Sequence, residues 1–244
     1  MATSGTYTFT LDVIDVIEEA YERCSIELKV GYDLVTARRS LNLLLTDWTL
    51  DDVNLWTLDQ TELVLTSGTA SYTLASPAFS VLDACIRVSG SSDTDYAIER
   101  ISIEQYLELP DKTTQGRPVQ FAVERGRSGP VVYLYPTPSA ATYSLFYYRI
   151  RDIQDITVTY TDNPDVPKRF LPALCSGLAW YLSEKNKAKM VTGSDGRPQW
   201  VDGVSPQDRL ELKARYTEDY TKAKEADADR ASLFIRPWRG YGNR

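Results

Sequence analysis

The stretch Leu34-Val35-Thr36-Ala37-Arg38-Arg39-Ser40-Leu41-Asn42-Leu43-Leu44-Leu45-Thr46-Asp47-Trp48, followed by Val53-Asn54-Leu55-Trp56-Thr57, decides the fold. Leu34, Ala37, Leu41, Leu44, Leu45 and Trp48 recur at offsets of three and four and so line one helix face, while Arg38, Arg39, Asn42 and Asp47 point elsewhere. Such an apolar face must pack on another element. The spacing predicts one core helix that feeds straight into a strand over 53–57.

Upstream, Thr10 is the candidate N-cap of a first helix with Leu11, Ile14, Ile17, Tyr21 and Cys24 on one side and Glu18, Glu19, Glu22 and Arg23 on others. Gly31-Tyr32-Asp33 then turns the chain into the second helix. From 55 to 150 the pattern changes to short β-branched and aromatic runs broken by turn residues, as in a small sheet or sandwich. Strands are predicted over 62–65, 71–74, 81–88, 96–101, 120–124, 131–135 and 143–149. Ser102 and Gln105 make a capping box for one short helix among them, with Ile103, Tyr106 and Leu107 on its apolar side.

After Pro164 and Pro167 the helical period returns with Phe170, Leu174, Leu178, Tyr181 and Leu182, which places Pro172 near the first turn. Residues 192–203 read as a loop, including Gly193, Ser194, Asp195 and Gly196. Ser205-Pro206-Gln207-Asp208 opens a last helix, with Leu212, Tyr216, Tyr220 and Ala223 as its packing stripe and dense alternating charge elsewhere. The expected class is therefore α+β. Helices from 1–56 and 156–231 form a four-helix framework around a β-rich insertion at 57–155, and an extended arm closes the chain at 232–244.

At 244 residues, with 43% hydrophobic and 25% charged, the chain has the make-up of a globular protein with a substantial core. It contains no histidine, which removes the usual general base of hydrolases and the commonest zinc ligand. Cys24, Cys85 and Cys175 are odd in number and set among apolar residues, as buried free thiols in a reducing compartment would be. The first ten residues lack the basic and apolar regions of a secretory signal, and no apolar run is long enough to span a membrane; synthesis in a cytoplasm and no membrane partner are the expectations. A net charge of −7 argues against a dedicated nucleic-acid binder, since such proteins neutralise phosphates with clustered Lys and Arg. It does not argue against DNA passing nearby, since an acidic or neutral wall repels the polyanion and keeps it sliding.

The end of the chain is the second informative feature. From Ala231 to Arg244 there is no acidic residue, yet Arg236, Arg239 and Arg244 are interleaved with Leu233, Phe234, Ile235, Trp238 and Tyr241. Pro237, Gly240 and Gly242 forbid a further helix. Three readings stand: a tail folded back on its own domain, an arm docked on a neighbour, and Arg and aromatic side chains stacked on single-stranded nucleic acid.

Other constellations are weaker. Asp162, Asn163 and Asp165, or Asp195 and Asp202, lack the spacing of a calcium loop, and no phosphate-cradling glycine pattern or Gly-x-Ser-x-Gly elbow occurs. A glycosidase needs two carboxylates, for which Glu18, Glu22 and Glu104 are candidates indistinguishable from exposed helix residues. Tyr133, Tyr135, Tyr143, Tyr147 and Tyr148 fit sheet packing as well as a sugar-binding face.

The opening helix, the shorter helix before it and the Asn-Leu-Trp-Thr segment after it resemble the head-to-tail adaptor proteins of short-tailed bacteriophages, also called tail tubular or head-completion proteins. Asp165-Val166-Pro167-Lys168-Arg169-Phe170-Leu171-Pro172-Ala173-Leu174 resembles the start of the third helix of such adaptors, so the two blocks bracket nearly the whole chain. The resemblance implies a structural, non-enzymatic virion protein without cofactor or metal, forming a homo-oligomeric ring, a dodecamer, at the head-tail junction. It implies a portal protein above, a tail nozzle protein and tail fibres below, and genomic DNA passing through the lumen without specific binding. Residues Leu233, Phe234, Ile235, Arg236, Pro237, Trp238, Arg239 and Tyr241 would then be a portal-binding arm, and Arg38, Arg39, Arg209, Glu211, Arg215 and Glu218 would lie on subunit-contact helices. A tail-associated protein that binds or cleaves cell-wall glycan is the alternative.

Overall fold

The computed structural model describes residues 5–6, 8–29, 31–51, 55–74, 77–90, 93–127, 129–192 and 197–227. Among these residues the chain is mixed α and β, with five α-helices and several sheets.

Helix α1 (Val13–Arg23) is capped by Asp12 and not by Thr10: the Asp12 carboxylate accepts a hydrogen bond from the Asp15 N–H at 3.0 Å. A helix leaves its first N–H groups unsatisfied. Here the returning chain takes two of them, Val13 N–H donating to the Asp162 carbonyl at 3.0 Å and Ile14 N–H to that of Tyr160 at 2.9 Å. The buried stripe accordingly runs through Val13, Val16, Ile17, Ala20, Tyr21 and Cys24, and Leu11 and Ile14 are only half-buried. Helix α2 (Tyr32–Leu50) follows Gly31, whose φ of 96° is a conformation that glycine adopts without steric cost. It buries Ala37, Leu41, Leu44, Leu45 and Trp48, the face predicted from their spacing.

The described part of the strand expected over 53–57 is not a strand. Val53 and Asn54 lie outside the described residues, and Leu55–Thr57 is one 3-10 turn. Trp56 accounts for it: its indole N–H donates to the Asp165 carbonyl at 3.1 Å, and its ring centroid lies 4.6 Å from that of Phe170. The helical core thus holds this segment until β1 (Leu58–Val64) begins.

The remaining strands are β2 (Ser71–Thr73), β3 (Ala78–Val88), β4 (Thr94–Ala97), β5 (Glu99–Ile101), β6 (Gln115–Gly116), β7 (Gln120–Gly126), β8 (Gly129–Tyr135), β9 (Thr137–Pro138) and β10 (Tyr143–Arg151). One sheet has the order β1-β10-β3-β4 and is antiparallel throughout; another has the order β2-β8-β7-β5, with β5 parallel to β7. The run 96–101, expected as one strand, breaks at buried Ile98, and its halves pair in different sheets. Val81, Ala84, Ile86, Leu145 and Tyr147 of the first sheet and Phe121, Val132 and Leu134 of the second share one apolar cluster. Helix α3 (Ile103–Leu107) carries the expected capping box, with Gln105 N–H donating to Ser102 Oγ at 3.1 Å and Ser102 N–H to Gln105 Oε1 at 2.9 Å.

Residues 152–167 return the chain to the helices. Asn42 on α2 clamps them with both ends of its amide, accepting from Ile156 N–H at 2.7 Å and donating to the Ile156 carbonyl at 3.2 Å. A 3-10 turn (Lys168–Phe170) then leads into α4 (Leu171–Lys185), with Pro172 in the first turn as its missing N–H requires. Helix α4 touches α1, α2 and α5 (Pro206–Asp227), and most of its residues are buried. At Gly177 the approach is so close that a Cβ would lie 2.8 Å from Leu44 Cδ2 and 2.9 Å from Tyr216 Cε2. Trp48 sits fully buried in this core, donating its indole N–H to the Tyr216 hydroxyl at 2.9 Å and stacking on Tyr220 at 5.2 Å.

Between α4 and α5 the expected loop is partly a hairpin: β11 (Lys189–Thr192) pairs with β12 (Pro198–Val201), in register from Lys189↔Val201 to Thr192↔Pro198. Its residues are almost all exposed, so no apolar alternation betrays it; residues 193–196 lie outside the described set. Helix α5 opens as expected, Asp208 N–H donating to Ser205 Oγ at 3.2 Å ahead of Pro206.

Candidate functional site

Among the described residues no group of three or more Cys, Asp or Glu side chains is placed to hold a metal ion, and no helix is long and apolar enough to cross a membrane. Cys24 and Cys175 are free, and burial pushes both thiols up to about 11, well away from the thiolate form needed for nucleophilic work. Cys24 instead donates to the Ala179 carbonyl, tying α1 to α4.

The residues of the predicted arm, Leu233, Phe234, Ile235, Arg236, Pro237, Trp238, Arg239 and Tyr241, lie outside the described residues. Those expected on subunit-contact helices divide. Arg209 is turned inward within its own chain, 3.5 Å from Glu184 of α4, and its Nε is buried without a hydrogen-bond acceptor among the described residues. Glu218 pairs with Lys222 one turn along α5 at 2.5 Å. Glu211 and Arg215 are exposed on the same helix. On α2, Arg38 is half-buried and Arg39 exposed. Burial first, and then the Arg39 charge, lowers the pKa of Lys185, which donates to Ser40 Oγ at 2.5 Å.

Sequence reasoning missed a second apolar face of α2. Tyr32, Val35, Leu43 and Leu50 are 82%, 42%, 53% and 67% exposed, and with Arg39 and Thr46 they fall at offsets of three, four and seven. Those offsets bring all six onto one stripe of the helix, opposite the stripe that enters the core. Single exposed apolar side chains need no explanation, whereas an aligned row on a long helix marks an interaction surface. The signal stood in the quoted stretch: apolar residues occur on both sides of α2, as in a helix covered on two faces.

A second surface is a cleft of about 630 Å³ between α1 and the start of α4. Its apolar part comes from Phe9, Leu11, Leu171, Pro172 and Cys175, and its rim from Asp15, Glu18, Glu19 and Glu22 with Arg23 and Lys168. Glu18 and Glu22 therefore share one rim, whereas Glu104 stands in the first turn of α3.

The family model described as SU10 adaptor protein matches residues 10–239, which takes in both helical parts, the strands between them and most of the arm. The chain belongs to the SU10 adaptor protein family. No curated protein matches the sequence. This adaptor is thus a structural protein of a bacteriophage virion, whose role is to join other virion components.

Proposed function

We propose that this adaptor forms a dodecameric ring that joins the portal vertex of a short-tailed phage to the tail nozzle, seals the head and contributes to the DNA ejection channel. The observation that carries this reading is the outward apolar stripe of α2. Tyr32, Val35, Leu43 and Leu50 are exposed in the single chain, and a ring gives every copy a neighbour to cover them. Arg38, Arg39, Glu211, Arg215 and Glu218 set the register at the polar edge of that contact. A helical framework from 1–56 and 156–231 builds the ring, the insertion at 57–155 meets the nozzle and tail fibres, and the arm from 232 anchors to the portal. The net charge of −7 keeps passing DNA from sticking to the lumen.

The test is loading of the purified full-length chain onto assembled portal rings, compared with a truncation after Ala231 and with Leu43→Glu, read by mass photometry. Stoichiometric loading is expected for the full chain, none for the truncation, and incomplete rings for Leu43→Glu. A full-length chain that never loads overturns the proposal.

A further inference from the structure

We infer that the cleft between α1 and α4 is a docking groove for the chain's own C-terminal segment, occupied while the subunit is not assembled. Three observations carry this. The first is the charge pattern of the rim. Asp15, Glu18, Glu19 and Glu22 recur at offsets of three, four and seven and so share one face of α1. Asp15 and Glu19, and Glu18 and Glu22, are like charges one turn apart, an arrangement that weakens a helix. Within the described residues only Glu19 has an ion-pair partner, Arg23 at 2.8 Å. The cleft's own cations are Arg23, which Glu19 holds, and Lys168, fewer than the four carboxylates, which leaves room for the cations of a docked segment.

The second observation is composition. The cleft combines this acidic rim with the apolar side chains of Phe9, Leu11, Leu171 and Pro172. The segment from Ala231 to Arg244 is its complement, with Arg236, Arg239 and Arg244, no acidic residue, Phe234 and Ile235 just before the first arginine and Trp238 between the first two. Arg23 Nη1, also at the cleft, is buried without an acceptor among the described residues, which a carbonyl of a docked chain would supply.

The third is where α5 ends. Its last residue, Asp227, is buried and paired with Arg169. The adjacent residue, Lys168, lines the cleft and places its ammonium 5.5 Å from the Phe9 ring centroid. The arm therefore sets out from the 3-10 turn that forms one wall of the groove. Residues 228–244 extend to at most about 60 Å, ample for the crossing. An arm held there is withheld from other partners, so portal and groove compete for one segment.

The experiment uses the full-length chain with Cys85→Ser, Gly240→Cys in the arm, and either Pro172→Cys in the groove or Thr221→Cys on the exposed face of α5. A short bismaleimide joins the thiols in an equal mixture of ¹⁴N and ¹⁵N chains, and the linked peptides are read by mass spectrometry. The expected result is a link from 240 to 172 within one isotope, stronger than the link to 221 although 221 lies nearer the arm in sequence. Asp15→Lys, Glu18→Lys and Glu22→Lys together reduce it to the level at 221 while the circular dichroism of the helices is kept. Links that join ¹⁴N to ¹⁵N chains assign the groove to a neighbour's arm and overturn the inference, as does equal linking at 172 and 221. Portal loading is measured separately, so an arm that loads on the portal but never links at 172 refutes the groove and leaves the ring standing.

Discussion

The molecule has two apolar cores built on opposite plans. The helical core is drawn from residues 13–48 and 153–223, two stretches far apart in the chain, and its centre is aromatic, with Trp48, Phe170, Tyr216 and Tyr220 in contact and a Trp–Tyr hydrogen bond inside. The sheet core comes from the single stretch 65–147 and is mostly aliphatic. Its charges stay at the edges, where Arg149 grips Asp59 at 2.6 and 3.1 Å and Arg87 grips Asp95 at 2.6 and 2.8 Å. Polar atoms inside a core fix one arrangement and make it costly to disturb; charges on its rim add little and are screened. The two regions should therefore fail under different insults.

Trp48→Ala should break the comparison most sharply. It removes the largest fully buried side chain among the described residues and orphans the Tyr216 hydroxyl, costing about 3–5 kcal/mol. Denaturant unfolding followed by far-ultraviolet circular dichroism measures it, and a loss below about 1 kcal/mol would mean that the helical core does not rest on this residue. Gly177→Ala comes next. The added methyl must displace Leu44 and the Tyr216 ring, an overpacking cost of about 1–3 kcal/mol that the better helix propensity of alanine offsets only in part. A lowered Tm is expected; a raised one would show that the α4 contact has slack.

Alkali should separate the regions by pH. Burial pushes Tyr216 up to about 12, and burial with the Asp33 charge pushes Tyr21 to about 12, so the folded helices hold protons that unfolded tyrosines release near pH 10. Stability from these groups is intact below pH 10 and lost as pH rises through 12. The phenolate absorbance that belongs to Tyr21 and Tyr216, assigned by comparison with Tyr21→Phe and Tyr216→Phe, should therefore appear together with the loss of helical circular dichroism; its appearance near pH 10 with the helices intact would contradict this. The smallest effect is expected at the sheet edge. The hydrogen bond from Arg149 holds Asp59 below the ordinary carboxylate pKa, so its contribution is present at neutral pH and is lost as pH falls through that lowered value. With Asp59 more than a third exposed, Asp59→Asn should cost only about 0.2–1 kcal/mol at pH 7 and nothing in strong acid.

What could be read in the sequence was what short spacing encodes. The Ser102–Gln105 box, Ser205 with Pro206, the core stripe of α2 and the period from Phe170 to Leu182 all rest on residues a turn or two apart, and all are present. What was not legible depends on distant partners. Asp12 caps α1 where residues 160 and 162 supply carbonyls, Asn42 clamps residue 156 more than a hundred positions away, and Trp56 overrides a strand by reaching Asp165 and Phe170. The candidate surfaces divide in the same way. The basic aromatic tail stands out by composition, whereas the contact of Arg209 with Glu184 joins two helices and could not be read from spacing. The outward row Tyr32, Val35, Leu43 and Leu50 obeys the same periodicity as the core row and is the one surface that spacing alone would have found.

The split origin of the helical core also imposes an order on synthesis. When α1 and α2 leave the ribosome, Phe170 and the whole of α4 are still untranslated, and at bacterial elongation rates roughly ten seconds pass before their packing partner emerges. The sheets between them already have every strand they need within one run of chain. The insertion can thus settle first, and the two leading helices, apolar on both faces of α2, spend that interval without the helix that covers them.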